Sequence, residues 1–253
     1  MGPSANLAPT PECPICQDTG WRMLPADREG EPERAAPCTC RKDRRTARWL
    51  ELAGIPPRYR HCTLEDFDPQ PYTGSPESLT WALIKARRFV ENYPADRTGL
   101  LLIGPCGVGK THLAVAILRQ LIEQRGVAGR FADYRELLKG MQATYDPGNS
   151  QSEAAFLRPY LEAEVLVLDD LGVGRATEWA METLHYLLNS RYSNERTTVL
   201  TTNLDDGDPT KKELTTAVGE RLRSRLFEMC QTVAITGDDY RRRLRARDFL
   251  ARD

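Results

Sequence analysis

Eight residues near the middle of the chain limit what it can fold into. GPCGVGKT, residues 104–111, follows the apolar run LLLI and opens the amphipathic run HLAVAILRQLI. It fits the pattern G-x-x-x-x-G-K-[ST] at every fixed position. Gly104, Gly107 and Gly109 carry no Cβ, so backbone N–H groups can turn toward an anion, with Pro105, Cys106 and Val108 completing the turn. Lys110 then reaches the outer phosphates of a nucleotide, and Thr111 offers its hydroxyl to Mg²⁺. The helix that follows points its positive end at the same ligand. A chance glycine loop needs neither a strand before it nor a helix after it. Cys106 and His112 belong to this stretch by position, although the chemistry does not demand their side-chain types.

Around the loop, short apolar runs alternate with longer amphipathic ones. Strands are predicted at 100–103, 129–132, 165–168, 198–201 and 232–235, and helices at 110–124, 134–145, 178–194 and 218–228. Such alternation means a parallel sheet with helices on both faces, an α/β fold of the P-loop NTPase kind. Ser75 and Pro76 read as an N-cap and a first-turn proline, opening a helix that carries Trp81, Leu83, Ile84, Phe89 and Val90 at helical spacing. Residues 57–75 are polar and turn-rich and read as a linker wrapping onto this domain. Only 145–152 reads as flexible. The predicted organisation is an N-terminal module at 1–53, a linker at 54–75 and a nucleotide-binding domain at 76–253.

VLVLDD, residues 165–170, is an apolar strand ending in two carboxylates. It is expected beside the strand that leads into the loop, with its C-terminal end facing the nucleotide. Asp169 is then placed to hold the magnesium shell, and Asp170 to orient or deprotonate an attacking water, or to cap the turn before Gly172. Asn203, ending TTN, can sense a terminal phosphate or simply form a turn. Arg221 and Arg225 lie four apart on one helix. One of them is a candidate arginine finger for a neighbouring subunit's nucleotide; a solvated basic face is the alternative. Arg241, Arg242 and Arg243 are candidates for a second phosphate-sensing arginine.

Four of the seven cysteines form two tight pairs, Cys13 with Cys16 and Cys38 with Cys40. C-x2-C followed by C-x-C supplies four thiolates, enough for tetrahedral Zn²⁺, with a redox dithiol or an iron–sulfur cluster as alternatives. A metal also supplies folding energy that so short and loop-rich a segment lacks. The stretch RKDRRTARWLEL reads as a basic helix, able to follow a phosphate backbone, to dock on an acidic partner, or merely to be solvated. The formal net charge of −1 argues for no nucleic-acid partner by itself. With no apolar run of 18 residues and no secretory pattern in 1–10, neither a membrane span nor export is expected, and the expected compartment is the cytoplasm.

In order and spacing, CPICQDTGW, CTCRK, AGIPPRYR, TLEDFD, GPCGVGKTHLAVAI, VLVLDDLG, RY, TTNL, GERLRSRL and GDDYR resemble the DnaC/DnaI-type helicase loaders, AAA+ ATPases with a zinc-bearing N-terminal domain. The IstB-type transposition ATPases share the core but generally lack the cysteine module. The resemblance implies a Walker B pair at Asp169 and Asp170, sensor 1 at Asn203, the arginine finger at Arg225, sensor 2 at Arg241, and a core lacking most of the helical lid. It implies ATP, Mg²⁺ and Zn²⁺ as ligands, with hydrolysis slow and DNA-stimulated. It also implies a hexameric replicative helicase gripped by the N-terminal domain, single-stranded DNA (guessed to contact 134–160), and ATP-dependent self-assembly. Other readings are a transposition helper, an adaptor that binds ATP without hydrolysing it, and a small-molecule P-loop kinase, which lacks visible acceptor-site residues.

Overall fold

A computed structural model describes residues 13–25, 32–70, 76–146, 148, 150–172, 177–204 and 214–241. The chain divides into two compact units, residues 1–48 and 49–253.

The small unit is an antiparallel hairpin of β1 (Trp21–Leu24) and β2 (Arg34–Pro37), with Trp21 opposite Pro37. One cysteine pair precedes β1 and the other follows β2, so closing the hairpin brings the pairs together. Gln17 and Asp18 adopt positive φ in the first knuckle, and the Cys38 N–H donates to Gly20 O at 2.9 Å. The buried side chains among the unit's described residues are those of Cys13, Cys16 and Cys38, so the described part of this unit has no apolar core of its own. Helix α1 (Cys40–Leu52) starts on the fourth cysteine and runs past the boundary.

The large unit is built on one parallel sheet. Its elements run α2 (Glu77–Asn92), β3 (Gly99–Ile103), α3 (Lys110–Arg125), β4 (Gly129–Asp133), α4 (Tyr134–Ala143), α5 (Glu153–Glu162), β5 (Val165–Asp169), α6 (Glu178–Ser193), β6 (Thr197–Thr202), α7 (Leu214–Val218), α8 (Glu220–Met229) and β7 (Cys230–Ala234). The strand order is β4-β5-β6-β3-β7, every pairing parallel. Period-two alternation sorts the strand side chains. Leu100 and Leu102 join a core with α2 and α3, while Leu101 and Ile103 join a second core with α4 to α8. Both faces are covered, which is why VLVLD and LLLI read as unbroken apolar runs.

Several expectations are corrected here. β5 does not lie beside β3: β6 is inserted between them, because parallel neighbours joined by helical crossovers need not follow chain order. The helix expected at 218–228 is two, α7 and α8, broken at Gly219, whose φ of 78° interrupts the helical path. At the start of α2, Pro76 itself occupies the cap position, extended and without a side-chain cap bond, and Ser75 lies outside the described residues. Helix α5 was not expected. Ser152 caps it by accepting from the Ala155 N–H at 3.2 Å, and it carries Pro159 inside. Between α4 and α5 the described residues form no helix or strand, and residues 147 and 149 of the stretch read as flexible lie outside the description. The supposed linker is anchored: Ile55, Cys62, Leu64 and Phe67 are buried in the core beside α2 and α3.

Arg191 on α6 is fully buried, and no carboxylate among the described residues holds it. Its guanidinium donates to the carbonyls of Tyr160 (2.8 Å), Leu161 (3.4 Å), Ala163 (2.9 Å) and Thr197 (2.6 Å), and to the Thr198 hydroxyl (3.0 Å). The cation thus satisfies acceptors at the C-terminal end of α5, where the helix dipole favours positive charge. Burial lowers its pKa to about 9.

Candidate functional site

In an open parallel sheet, ligands bind beyond the carboxyl ends of the strands. At that edge β3 runs into the glycine loop, β4 ends in Asp133, β5 in Asp169, and β6 is followed by Asn203. A cavity of about 600 Å³ opens there, lined by Cys106 to His112 together with Asp170, Asn203 and Arg241.

Two of the loop glycines are required by close approach. Gly107 has φ 82°, and a Cβ on it would lie 1.9 Å from Asp239 Oδ1; Gly109 has φ 97°, and a Cβ would lie 2.6 Å from the Phe67 ring. Lys110 begins α3 and is buried. Its ammonium donates to Gly104 O and Pro105 O, both at 2.8 Å, and to Asn203 Oδ1 at 2.6 Å. Burial lowers its pKa, and the opposing influence of Cys106 and of the Asp170 and Asp169 carboxylates offsets the loss of water only in part.

Asp169 is also buried. Thr111 Oγ1 donates to its two oxygens at 2.9 and 3.1 Å, and Thr201 Oγ1, from the inserted strand β6, donates at 2.6 Å. Burial pushes its carboxyl up to about 6. The Asp170 and Asp133 carboxylates push the same way, and the two threonine hydroxyls oppose them. The next residue, Asp170, sits at φ 56°, and its N–H donates to Thr201 Oγ1 at 2.9 Å. One threonine hydroxyl therefore holds the Asp169 carboxylate and the Asp170 N–H together. One carboxylate oxygen each of Asp133, Asp169 and Asp170 lies within 4.8 Å of the others. Carboxylates, a threonine hydroxyl and room for water suit a hard, octahedral divalent cation, and Mg²⁺ fits this donor set.

The other expected residues fall on either side of the loop. Arg241 lines the cavity, and its N and Nε both donate to Asp239 Oδ1, at 3.1 and 3.0 Å; Arg242 and Arg243 lie outside the described residues. Arg225 does not line the cavity. It donates through Nη1 to Asn189 Oδ1 on α6 and stacks 5.6 Å over the Tyr192 ring, while Arg221 is exposed. His112 faces residues 58–68 rather than the phosphate loop. Its Nε2 lies 2.8 Å from Thr63 O, and because a carbonyl only accepts, Nε2 carries the proton. Burial lowers its pKa. Cys106 is exposed at the cavity.

Two groups escaped the sequence reading. Residues 58–68, read as linker, contribute Arg58, Tyr59, His61, Cys62, Asp66, Phe67 and Asp68 to the cavity wall. They are tied down by His112 and by Arg119, whose Nη1 donates to Cys62 O at 3.1 Å. Asp133, in a weak strand, carried no motif to mark it. What signal there was lies in its place before α4, where an Asp caps a helix.

In the small unit the four cysteine sulfurs lie within 4.8 Å of one another, with Cys13 and Cys38 Sγ 3.8 Å apart and Cys16 and Cys40 Sγ 3.4 Å apart. Tetrahedral zinc with bonds of about 2.3 Å sets its sulfurs roughly 3.8 Å apart, so the set fits. All four are free thiols, and the Gly20 N–H approaches Cys16 Sγ at 3.4 Å, as a supporting donor to a thiolate does.

A family model described as "IstB-like ATP binding protein" matches residues 35–248. The replicative helicase loader DnaC of Escherichia coli (strain K12) is 27% identical over 203 residues, covering 80% of this chain and 78% of that protein. A crystal structure of the DnaC helicase loader is 33% identical with a TM-score of 0.62, covering 71% of this chain and 99% of that one. A crystal structure of DnaI is 26% identical with a TM-score of 0.58, covering 76% and 98%. The resemblance read from the motifs is borne out, and the chain belongs to the family of IstB-like ATP binding proteins.

Proposed function

We propose that this protein is an ATP-dependent loader of the replicative DNA helicase, with ATP binding as the switch and hydrolysis, slow and DNA-stimulated, as the reset. The supporting observation is the convergence of Lys110, Thr111 and Asn203 on one cavity at the carboxyl edge of the sheet, with Asp169 bonded to Thr111 behind it, in a chain similar to DnaC along most of its length.

Each residue has a task in this reading. The N–H groups of the loop and the Lys110 ammonium bind the phosphates. Thr111 and Asp169 hold magnesium, which when bound neutralises phosphate charge and orients the terminal group for in-line attack. Asp170, at the cavity, positions the attacking water and accepts its proton. An Asp reaches less far than a Glu, so the water must come closer, which suits a slow enzyme. Asn203 and Arg241 register the terminal phosphate. Arg225, absent from the lining of its own chain's cavity, serves a neighbouring copy, so occupancy and assembly become one event. The cysteine module, residues 1–53 with the basic helix, holds zinc and grips the helicase. Residues 54–75 connect it to the ATPase domain at 76–253, and single-stranded DNA runs along 134–160. The cytoplasm is the site of action that goes with this role.

The matched family model favours one second reading, a transposition helper with the same ATPase core. Co-purification decides. A replicative helicase hexamer should hold the protein with ATP and release it without, read as a change in complex mass. Capture of a transposase with no helicase complex would replace the loader reading.

A further inference from the structure

We infer that Asp133 is a third carboxylate of the magnesium site, a positioning residue for the ion's water shell. This rests on the ATP-binding reading of the cavity and adds a residue that neither the motifs nor the resemblance marks.

The sheet makes the placement. β4 and β5 pair in parallel with Asp133 level with Asp169, so both strands end on the same rung and their carboxylates leave the sheet together. One oxygen each from Asp133, Asp169 and Asp170 lies within 4.8 Å of the others. Three acidic groups this close repel one another unless positive charge sits among them. The cluster does not stand apart from the phosphate loop: Thr111 donates to both oxygens of Asp169, so the loop and the acids meet at one point.

Asp133 also has a plain structural task. Its Oδ1 accepts from the Arg135 and Glu136 N–H groups, at 2.9 and 3.0 Å, and so caps α4. Both cap bonds use the same oxygen. Capping needs an acceptor and not a charge, since Asn and Ser cap about as well as Asp. An aspartate that only caps is therefore replaceable by asparagine, whereas one that serves the cation is not. Mg²⁺ keeps several waters when it binds, and a carboxylate a few ångströms beyond those waters accepts their hydrogen bonds without becoming a ligand.

The test is a Mg²⁺ titration of the full chain in the presence of fluorescent ATP, comparing wild type with Asp133→Asn. The half-saturating Mg²⁺ concentration should rise about tenfold. The unfolding midpoint without ligand should be no lower than that of wild type, and ATP binding in EDTA should be no weaker. An unchanged Mg²⁺ curve overturns the inference. If Asp133→Asn lowers the unfolding midpoint, Asp133→Ser, which caps through its hydroxyl, decides: the same tenfold rise supports the inference and a wild-type curve overturns it. Failure of wild type to bind ATP at all is a different result and strikes the ATP-binding reading itself.

Discussion

The Lys110 ammonium donates to Asn203 Oδ1 at 2.6 Å, joining the phosphate loop after β3 to the end of the neighbouring strand β6. The residue proposed to grip phosphate and the one proposed to sense it are thus in direct contact, and what moves one is felt by the other. Asn203→Ala should leave ATP affinity within about threefold of wild type and cut turnover by roughly tenfold or more. Fluorescent-ATP binding and phosphate release on the same preparation check this. Equal turnover in both proteins would remove Asn203 from the mechanism.

Asp169 makes a prediction about pH. Its folded-state carboxyl lies at about 6, raised from the ordinary 3.8 first by burial. The native state therefore binds more protons than the unfolded chain between pH 4 and 6, and stability without nucleotide falls as pH rises through that window. The contribution is full below about pH 4 and lost above about pH 6, on the order of 3 kcal/mol. Asp169→Asn should unfold later than wild type at pH 8 without ligand, should flatten the slope between pH 4 and 6, and should abolish the enhancement of ATP binding by Mg²⁺. Thermal melts across pH 4–8 measure the first two and a Mg²⁺ titration the third.

Removing zinc should affect the small unit alone. The Arg41 guanidinium stacks 4.9 Å over the Trp21 ring, so Trp21 reports on the hairpin that the cysteines close. Cys38→Ser should lower bound zinc from one ion per chain toward none and change Trp21 emission, while ATP affinity stays within about twofold because the buried core of the large unit is separate. Elemental analysis with tryptophan fluorescence is the measurement. Wild-type protein purified without zinc and with Trp21 emission indifferent to chelator would argue for a metal-free module.

Arg225 is held by Asn189 and Tyr192 and does not line its own chain's cavity. Arg225→Ala should bind ATP normally and lose DNA-stimulated turnover by about 10²-fold or more. Mixing it with Lys110→Ala should restore part of the activity, because each variant supplies what the other lacks. Two inactive proteins that stay inactive together would rule out action between copies.

Much of the site was legible because its chemistry is local. The glycines, Lys110 and Thr111 must be spaced as they are to surround a phosphate, and Asp169 ends an apolar run that can only be a buried strand. What was missed depends on contacts distant in sequence. Residues 58–68 are polar and turn-rich, and only the bonds from His112 and Arg119 make them a wall of the cavity. Asp133 gains meaning from the register of β4 on β5, which no stretch of sequence states. Helix α5 was hidden by Pro159, whose ring ordinarily ends a helix. The insertion of β6 beside β3 follows from sheet topology, and with it came the role of Thr201, bonded to Asp169 and to the Asp170 N–H.

Calorimetric titration of ATP with Mg²⁺ into wild type and Lys110→Ala tests the central claim most directly. One site per chain in wild type, weakened at least 100-fold in Lys110→Ala, is the predicted result. Equal heats in the two proteins, or none in either, would contradict it.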